Sequence, residues 1–158
     1  MRSYKVLTVC LGNICRSPAA QGILESVSNE QGVFLELDSA GTAAYHVGNP
    51  PDPRSVFALQ QIDINIAQQK ARQVSVDDFY AFDWILAMDR ENLSNLQKIQ
   101  PENSPVKLVM FGEFDHIADF GEVVDPYYGG QDGFAQMRSH LKTIANAFVH
   151  HLISSRED

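Results

Sequence analysis

A cysteine and an arginine separated by five residues, Cys10-Leu-Gly-Asn-Ile-Cys-Arg16, are preceded by the apolar run Val6-Leu-Thr-Val9 and followed by Ser17-Pro18. A thiol, a guanidinium and a string of backbone amides therefore arrive together where a strand should turn into a helix. The span is long enough to curl into a cradle of N–H donors, and Gly12 and Asn13 are types that tolerate positive φ. Such a nest, backed by a helix N-terminus at Pro18, favours a phosphate-like dianion. The same field favours the thiolate of a cysteine. Cys10 is accordingly read as a nucleophile for phosphorus, with Leu11, Gly12, Asn13, Ile14, Cys15, Arg16 and Ser17 as the phosphate-binding loop. A free cysteine is also a small hydrophobe that packs well in cores. The strand before, the glycine within and the helix start after each favour the cradle over that plainer reading.

A second cluster, Asp125-Pro126-Tyr127-Tyr128-Gly129-Gly130, lies in a long polar connection ahead of the last helix. Long loops in compact domains are often functional, although a proline turn with two aromatics covering the core is the simpler account of this stretch alone. Phosphoryl transfer from a tyrosyl ester expels a phenolate whose conjugate acid has a pKa of about 10, which is slow without a proton donor. Asp125, shielded by Tyr127 and Tyr128, is the candidate donor, and after transfer it becomes the base for water. Leu11, Tyr45, Tyr127 and Tyr128 are the candidate apolar walls for an aromatic ring.

The elements that must position these residues follow from periodicity and punctuation. Tyr4 to Val9 reads as a strand, and Pro18 to Asn29 as a helix that presents Ala20, Ile23, Leu24 and Val27 on one face and ends at Gln31-Gly32. Val33 to Leu37 is a second strand. Asp52 as N-cap and Pro53 as first residue open a helix to about Gln61. Ser75 to Asp78 has capping-box spacing and opens a short helix, Trp84 to Met88 is a buried strand, and Asp89 caps a helix to Gln100. Val106 to Phe111 supplies a fourth strand. The last helix carries Phe134, Met137, Leu141, Ile144, Phe148 and Leu152 at steps of three or four, a core stripe. Strands alternating with helices predict an α/β fold, a parallel sheet covered on both faces, with active residues beyond the carboxyl ends of the strands. Cys10 sits at such an end.

The chain has 158 residues, 44% of them hydrophobic, which suits one domain over residues 1–158. Twenty acidic against twelve basic residues give a formal charge of −8, which opposes binding to nucleic acid or anionic membrane, so an anion site must be local. No stretch is apolar enough to span a bilayer, and Met-Arg-Ser-Tyr-Lys leads into a strand-like run rather than a signal peptide, so a cytoplasmic location is expected. Two cysteines in one loop do not form a secreted disulfide framework. Adjacent residues on a helix point apart, so His150-His151 is not a chelating pair.

With both clusters in hand, the chain resembles the low-molecular-weight protein tyrosine phosphatases over nearly all of its length. Val9 to Pro18 is similar to that family's N-terminal signature, and Asp125-Pro-Tyr-Tyr-Gly129 to its general-acid loop. Asp38 to Thr42, Val47-Gly48, Pro51 to Arg54, Lys70 to Gln73 and Met88-Asp89 also look like family segments. The resemblance implies a three-layer domain with a four-stranded parallel sheet in the order 2-1-3-4, no metal or other cofactor, and a phosphocysteine intermediate. It implies phosphotyrosine-containing proteins as substrates, phosphate and other oxyanions as inhibitors, and a monomer or weak dimer. By position, Cys10 is the nucleophile, Arg16 the phosphate clamp and Asp125 the proton donor. Ser17 is implied as a hydrogen-bond donor to the Cys10 sulfur, alongside ordinary helix capping. Asn13 is implied to hold the loop through a positive φ and bonds to Ser17 and Ser39, where an ordinary turn asparagine is the alternative. Cys15 is read either as a redox partner whose disulfide protects Cys10 or as a buried thiol packing under the loop.

Two positions depart from the family pattern. Gln69 stands where a histidine linked to the loop asparagine is common, so pH dependence carried by that histidine should be absent. Tyr45 replaces a frequent tryptophan on the wall, and His46 beside it is a candidate substrate contact. Thioredoxin-coupled arsenate reductases resemble the same cradle but need further cysteines, and none follows Cys15. A phosphotyrosine-binding module without turnover would have no use for Asp125 as a donor.

Overall fold

The computed structural model describes residues 3–114, 122–127 and 130–155. Four parallel strands form one sheet in the order β2-β1-β3-β4, where β1 is Ser3–Cys10, β2 Phe34–Gly41, β3 Trp84–Ala87 and β4 Lys107–Met110. The helices are α1 (Arg16–Gln31), α2 (Pro53–Gln60), α3 (Asp78–Ala81), α4 (Arg90–Ile99) and α5 (Gln131–Ser155), with a 3₁₀ turn over Phe111–Phe114.

Alternation along the inner strands builds the three layers. Val6, Trp84 and Leu86 face α1, α2 and α5, where they meet Ile23, Leu24, Leu59, Leu141, Ile144 and Phe148. Leu7, Val9, Ile85 and Ala87 face the other way, onto Phe79 of α3 and Leu96 of α4. A strand buried on both faces reads as an unbroken apolar run, which is why Trp84-Ile-Leu-Ala announces β3 without any period of two. Phe148 anchors the larger cluster, its ring 5.3 Å from Trp84 and 5.0 Å from Phe114 between centroids, in edge-on packing. Each such fully buried side chain contributes about 1.5–3 kcal/mol.

The expected element order holds, and the differences lie at the ends. β2 runs four residues past Leu37, to Gly41, because all eight residues pair with β1. The polar pair Asp38-Ser39 reads as a loop in sequence, yet Ser39 is buried. Helix α1 starts at Arg16 rather than Pro18, and left-handed Gly32 closes it as expected. Asp52 and Asp89 cap α2 and α4 through the N–H groups of Arg54 and Asn92. Of the Ser75 to Asp78 capping box, the Asp78 carboxylate accepts the Ser75 N–H at 2.8 Å, and α3 is a single turn. Among the described residues, no helix is long and apolar enough to cross a membrane.

Both central strands end at one rim. Cys10 is the last residue of β1, and Met88-Asp89 follow β3 directly, with the Met88 N–H still donating to Val9 O at 3.0 Å. The segment bearing Asp125 returns to that rim through the Val123 N–H, which donates to Met88 O at 2.7 Å.

Candidate active site

The loop from Cys10 to Arg16 is turned inside out by its neighbours. The Cys10 and Leu11 carbonyls accept the N–H groups of Thr42 and Ala43, the Ile14 carbonyl that of Asp52, and the Cys15 carbonyl the Ser55 hydroxyl, at 2.8–3.0 Å. In a trans peptide the N–H points opposite to the C=O. Carbonyls held to the periphery therefore aim the amides of Leu11, Gly12, Cys15 and Arg16 into the loop's centre.

Asn13 holds the turn. It sits at φ 58°, in the left-handed region that asparagine tolerates. Its buried side chain donates to Ser17 Oγ at 2.8 Å and Ser39 Oγ at 2.9 Å, and its carbonyl oxygen accepts the Arg72 N–H at 3.0 Å. Gly12, expected to share the left-handed role, does not adopt a positive φ. Its missing Cβ instead makes room for His46, whose ring carbon would lie 2.9 Å from a Cβ there. Gly41 matters for the same kind of reason, since a Cβ at that position would stand 2.7 Å from Leu11 O and 3.2 Å from Asn13 N.

The Cys10 sulfur is 3.1 Å from Ser17 Oγ. Because that oxygen already accepts from Asn13, its own proton is available to the sulfur, the alternative being Ala40 O at 3.4 Å. The Thr8 hydroxyl fixes the same corner by donating to Ser17 O at 2.8 Å. Arg16, the first residue of α1, is 3% exposed. Its Nη1 donates to Asp89 Oδ2 at 2.6 Å and to Val123 O at 3.1 Å, while Nη2 lies 3.7 Å from Asp125 Oδ2. Burial opposes the guanidinium charge, but Cys10, Asp89 and Asp125 outweigh it and hold Arg16 still more firmly protonated than usual.

Cys10, Leu11, Gly12, Ile14, Cys15, Arg16, Tyr45, His46, Asp125 and Tyr127 line one cleft of about 250 Å³. Asp125 and the walls are more open than the sequence suggests: the Asp125 side chain is 46% exposed and Tyr45 76%. The shielding of Asp125 expected from two tyrosines is therefore incomplete, and Tyr128 lies outside the described residues. Gln69 does not reach Asn13. Its amide donates to Pro18 O at 3.2 Å, and the asparagine oxygen takes a backbone N–H instead. Cys15 is 4% exposed, and burial first, then Asp52, Cys10 and Asp125, push its thiol far above the ordinary range.

The family model for low molecular weight phosphotyrosine protein phosphatases matches residues 5–157. The chain belongs to that family. The Schizosaccharomyces pombe low molecular weight phosphotyrosine protein phosphatase is 41% identical over 94% of this chain and 96% of its own length. A protein tyrosine phosphatase from Entamoeba histolytica, crystallised with Hepes in its active site, aligns with TM-score 0.91 and 34% identity over 97% of this chain and 99% of that one. A Drosophila arginine phosphatase aligns with TM-score 0.88 and 31% identity over 94% and 97%. The four-stranded parallel sheet and its order agree with these relatives.

Of the supports of this phosphatase-family site, the bonds of Asn13 to Ser17 and Ser39 are as the resemblance implies, while Asp89, Arg72 and the Asp52–Arg54 pair are not expected in that role. Asp89 is visible as a helix cap, but only the structure shows one oxygen on Asn92 N–H and the other on Arg16. Arg72 fixes its own segment beside Asn13 by forking onto Asp78 and reaching Asp38, all at 3.0–3.1 Å. Asp52 and Arg54 are a second such pair. The Arg54 side chain holds the Asp52 carboxyl below its usual range against the opposing effect of burial, with further help from the Arg54 N–H and the Cys15 thiol. A carboxyl so depressed adds stability that is present above the ordinary carboxylate range and is lost as pH falls through the folded value. Thermal unfolding of wild type and Asp52→Asn between pH 7 and pH 3 should show wild type ahead at neutral pH and the gap closing in acid, below about pH 3.9. A gap that stays constant with pH would contradict the ionic role of Asp52.

Proposed function

We propose that this protein hydrolyses phosphotyrosine in proteins, and small aryl phosphates, through a phosphocysteine intermediate. The observation that carries this reading is the meeting of the Cys10 sulfur, the inward amides, Arg16 and Asp125 in one cleft. The amides and the Arg16 Nη2 edge receive the phosphoryl oxygens, where they match charge that spreads over those oxygens in the transition state. The Cys10 thiolate attacks phosphorus as the P–O bond to the phenol breaks, and Asp125 gives the departing oxygen its proton. Water then attacks the phosphocysteine. Asp125, now a carboxylate, takes the water's proton, the S–P bond breaks, and the Ser17 hydroxyl supports the returning thiolate. Phosphate and other oxyanions compete for the cradle.

Leu11, Ile14, Tyr45 and Tyr127 give the cleft apolar and aromatic walls, which suits a phenyl ring. A phosphoguanidine, the substrate type suggested by the arginine phosphatase relative, presents N–H groups that need acceptors on those walls. Among the described lining residues Asp125 is the one carboxylate, so phosphotyrosine is the favoured class.

Cys15 is also proposed as a redox partner. Peroxide takes the Cys10 thiolate to a sulfenic acid, which condenses with the Cys15 thiol to a disulfide and water. After mild peroxide and then dithiol, wild type should regain activity while Cys15→Ala recovers less. Equal recovery would leave Cys15 as core packing.

The central test is hydrolysis without added metal at mildly acidic pH. Cys10→Ser should be inactive, and Asp125→Ala should lose about 100-fold or more on phosphotyrosine but far less on p-nitrophenyl phosphate, whose phenolate leaves unaided. Full activity in the serine variant, or an absolute metal requirement, would overturn the proposal. Faster turnover of phosphoarginine than of phosphotyrosine would redirect it to the other substrate class.

A further inference from the structure

The carboxylate proposed as proton donor stands on a segment without helix or strand of its own, residues 122–127, and is half exposed. A general acid must reach the leaving oxygen at about 2.6–3.2 Å, so something has to hold it. Asp125 Oδ1 accepts the Tyr127 N–H at 3.1 Å, and Oδ2 lies 3.7 Å from Arg16 Nη2. The direction of the carboxylate thus follows the backbone of Tyr127.

That backbone is gripped in turn by Arg54. Arg54 Nη1 donates to Tyr127 O at 2.8 Å, and its guanidinium lies 5.2 Å from the centre of the Tyr127 ring and 4.7 Å from that of Phe134. Arg54 is itself anchored. Its Nε and Nη2 fork onto the two Asp52 oxygens at 3.1 and 2.9 Å, a planar arrangement that lysine cannot copy. Asp52 in turn belongs to the cradle, for its N–H donates to Ile14 O at 2.8 Å. The contacts run from the phosphate loop through Asp52, Arg54 and Tyr127 to Asp125, which faces the same loop.

We propose that Arg54 is a positioning residue for proton transfer, a clasp that sets the Asp125 carboxylate at a fixed reach from the anion cradle. The role rests on the phosphatase chemistry proposed above and adds a residue that touches neither substrate nor sulfur. An arginine serving only to stabilise the start of α2 would satisfy itself on Asp52 and have no need of Tyr127. Misplacing a catalytic group by about 1 Å costs on the order of 100-fold, and here the loss must appear only where a proton is needed.

The experiment compares kcat/KM on a phosphotyrosyl peptide and on p-nitrophenyl phosphate for wild type, Arg54→Ala, Arg54→Lys, Asp125→Ala and the double variant Arg54→Ala with Asp125→Ala. Arg54→Ala should lose about 10-fold or more on the peptide but less than about threefold on p-nitrophenyl phosphate, with Arg54→Lys between it and wild type. On the Asp125→Ala background the peptide loss from Arg54→Ala should shrink below about twofold, because the two residues act through one proton. Equal losses on both substrates, full additivity in the double variant, or no loss at all would overturn the clasp. Should Arg54→Ala not fold, the leaving-group selectivity of Arg54→Lys decides the matter in the same way. Selective loss in Asp125→Ala with none in the Arg54 variants refutes the clasp alone. Absence of selective loss in Asp125→Ala itself refutes the proton donor, and the clasp with it.

Discussion

Backbone amides that converge on one point repel one another's dipoles and lose the partners that a strand or helix would supply, and an unpaired buried donor costs about 1–3 kcal/mol. The Cys10 to Arg16 loop holds that arrangement because its carbonyls are fastened outward and Asn13 is fastened inward. The left-handed turn at Asn13 is compatible with an L residue only at a cost that its three side-chain hydrogen bonds offset. From this follow the position of the Cys10 sulfur against Ser17, the entry of Arg16 into α1, and the proposed anion site. Ser39 and Arg72 are drawn in as the asparagine's partners, and Asp38 and Asp78 as the partners of Arg72.

Within this frame the positive charge of Arg16 is divided. One nitrogen is committed to Asp89 and Val123 O, while the other edge faces Asp125 and the cleft. A buried guanidinium needs such a permanent partner, since an uncompensated one carries a desolvation penalty of several kcal/mol. In the proposed reaction a dianion would meet a guanidinium that Asp89 has already oriented, which is the condition for electrostatic catalysis. Asp89 sits where it does because β3 ends two residues earlier and α4 needs a cap, so a single side chain closes a helix and orients Arg16.

The fold was largely legible because its signals are local. Buried apolar runs mark β1 and β3, the stripe from Phe134 to Leu152 marks α5, and Asp52-Pro53 and Asp89 mark helix starts that the structure places where expected. The end of β2 was not legible, since Asp38 and Ser39 are polar for the sake of Arg72 and Asn13, partners far away in the chain. The chemical residues Cys10 and Arg16 stood out by spacing, and Asp125 by its proline turn and aromatics. Among their supports Asn13, Ser17 and Ser39 came with the family resemblance, but Asp89 and Asp52 did not stand out, because an aspartate in a sequence looks the same whether it caps a helix or clamps an arginine. The openness of Asp125 and Tyr45 was also hidden, exposure being a property of how loops lie rather than of which residues they contain.

The central claim is that the cradle draws an anion against a nucleophilic sulfur, and the rate of Cys10 alkylation tests it most directly. In free solution a thiolate reacts more slowly with iodoacetate than with neutral iodoacetamide, because like charges repel. In this protein the order should invert at Cys10, with inorganic phosphate protecting the residue and Cys15 unmodified. A Cys10 that reacts faster with iodoacetamide and is indifferent to phosphate would contradict the account.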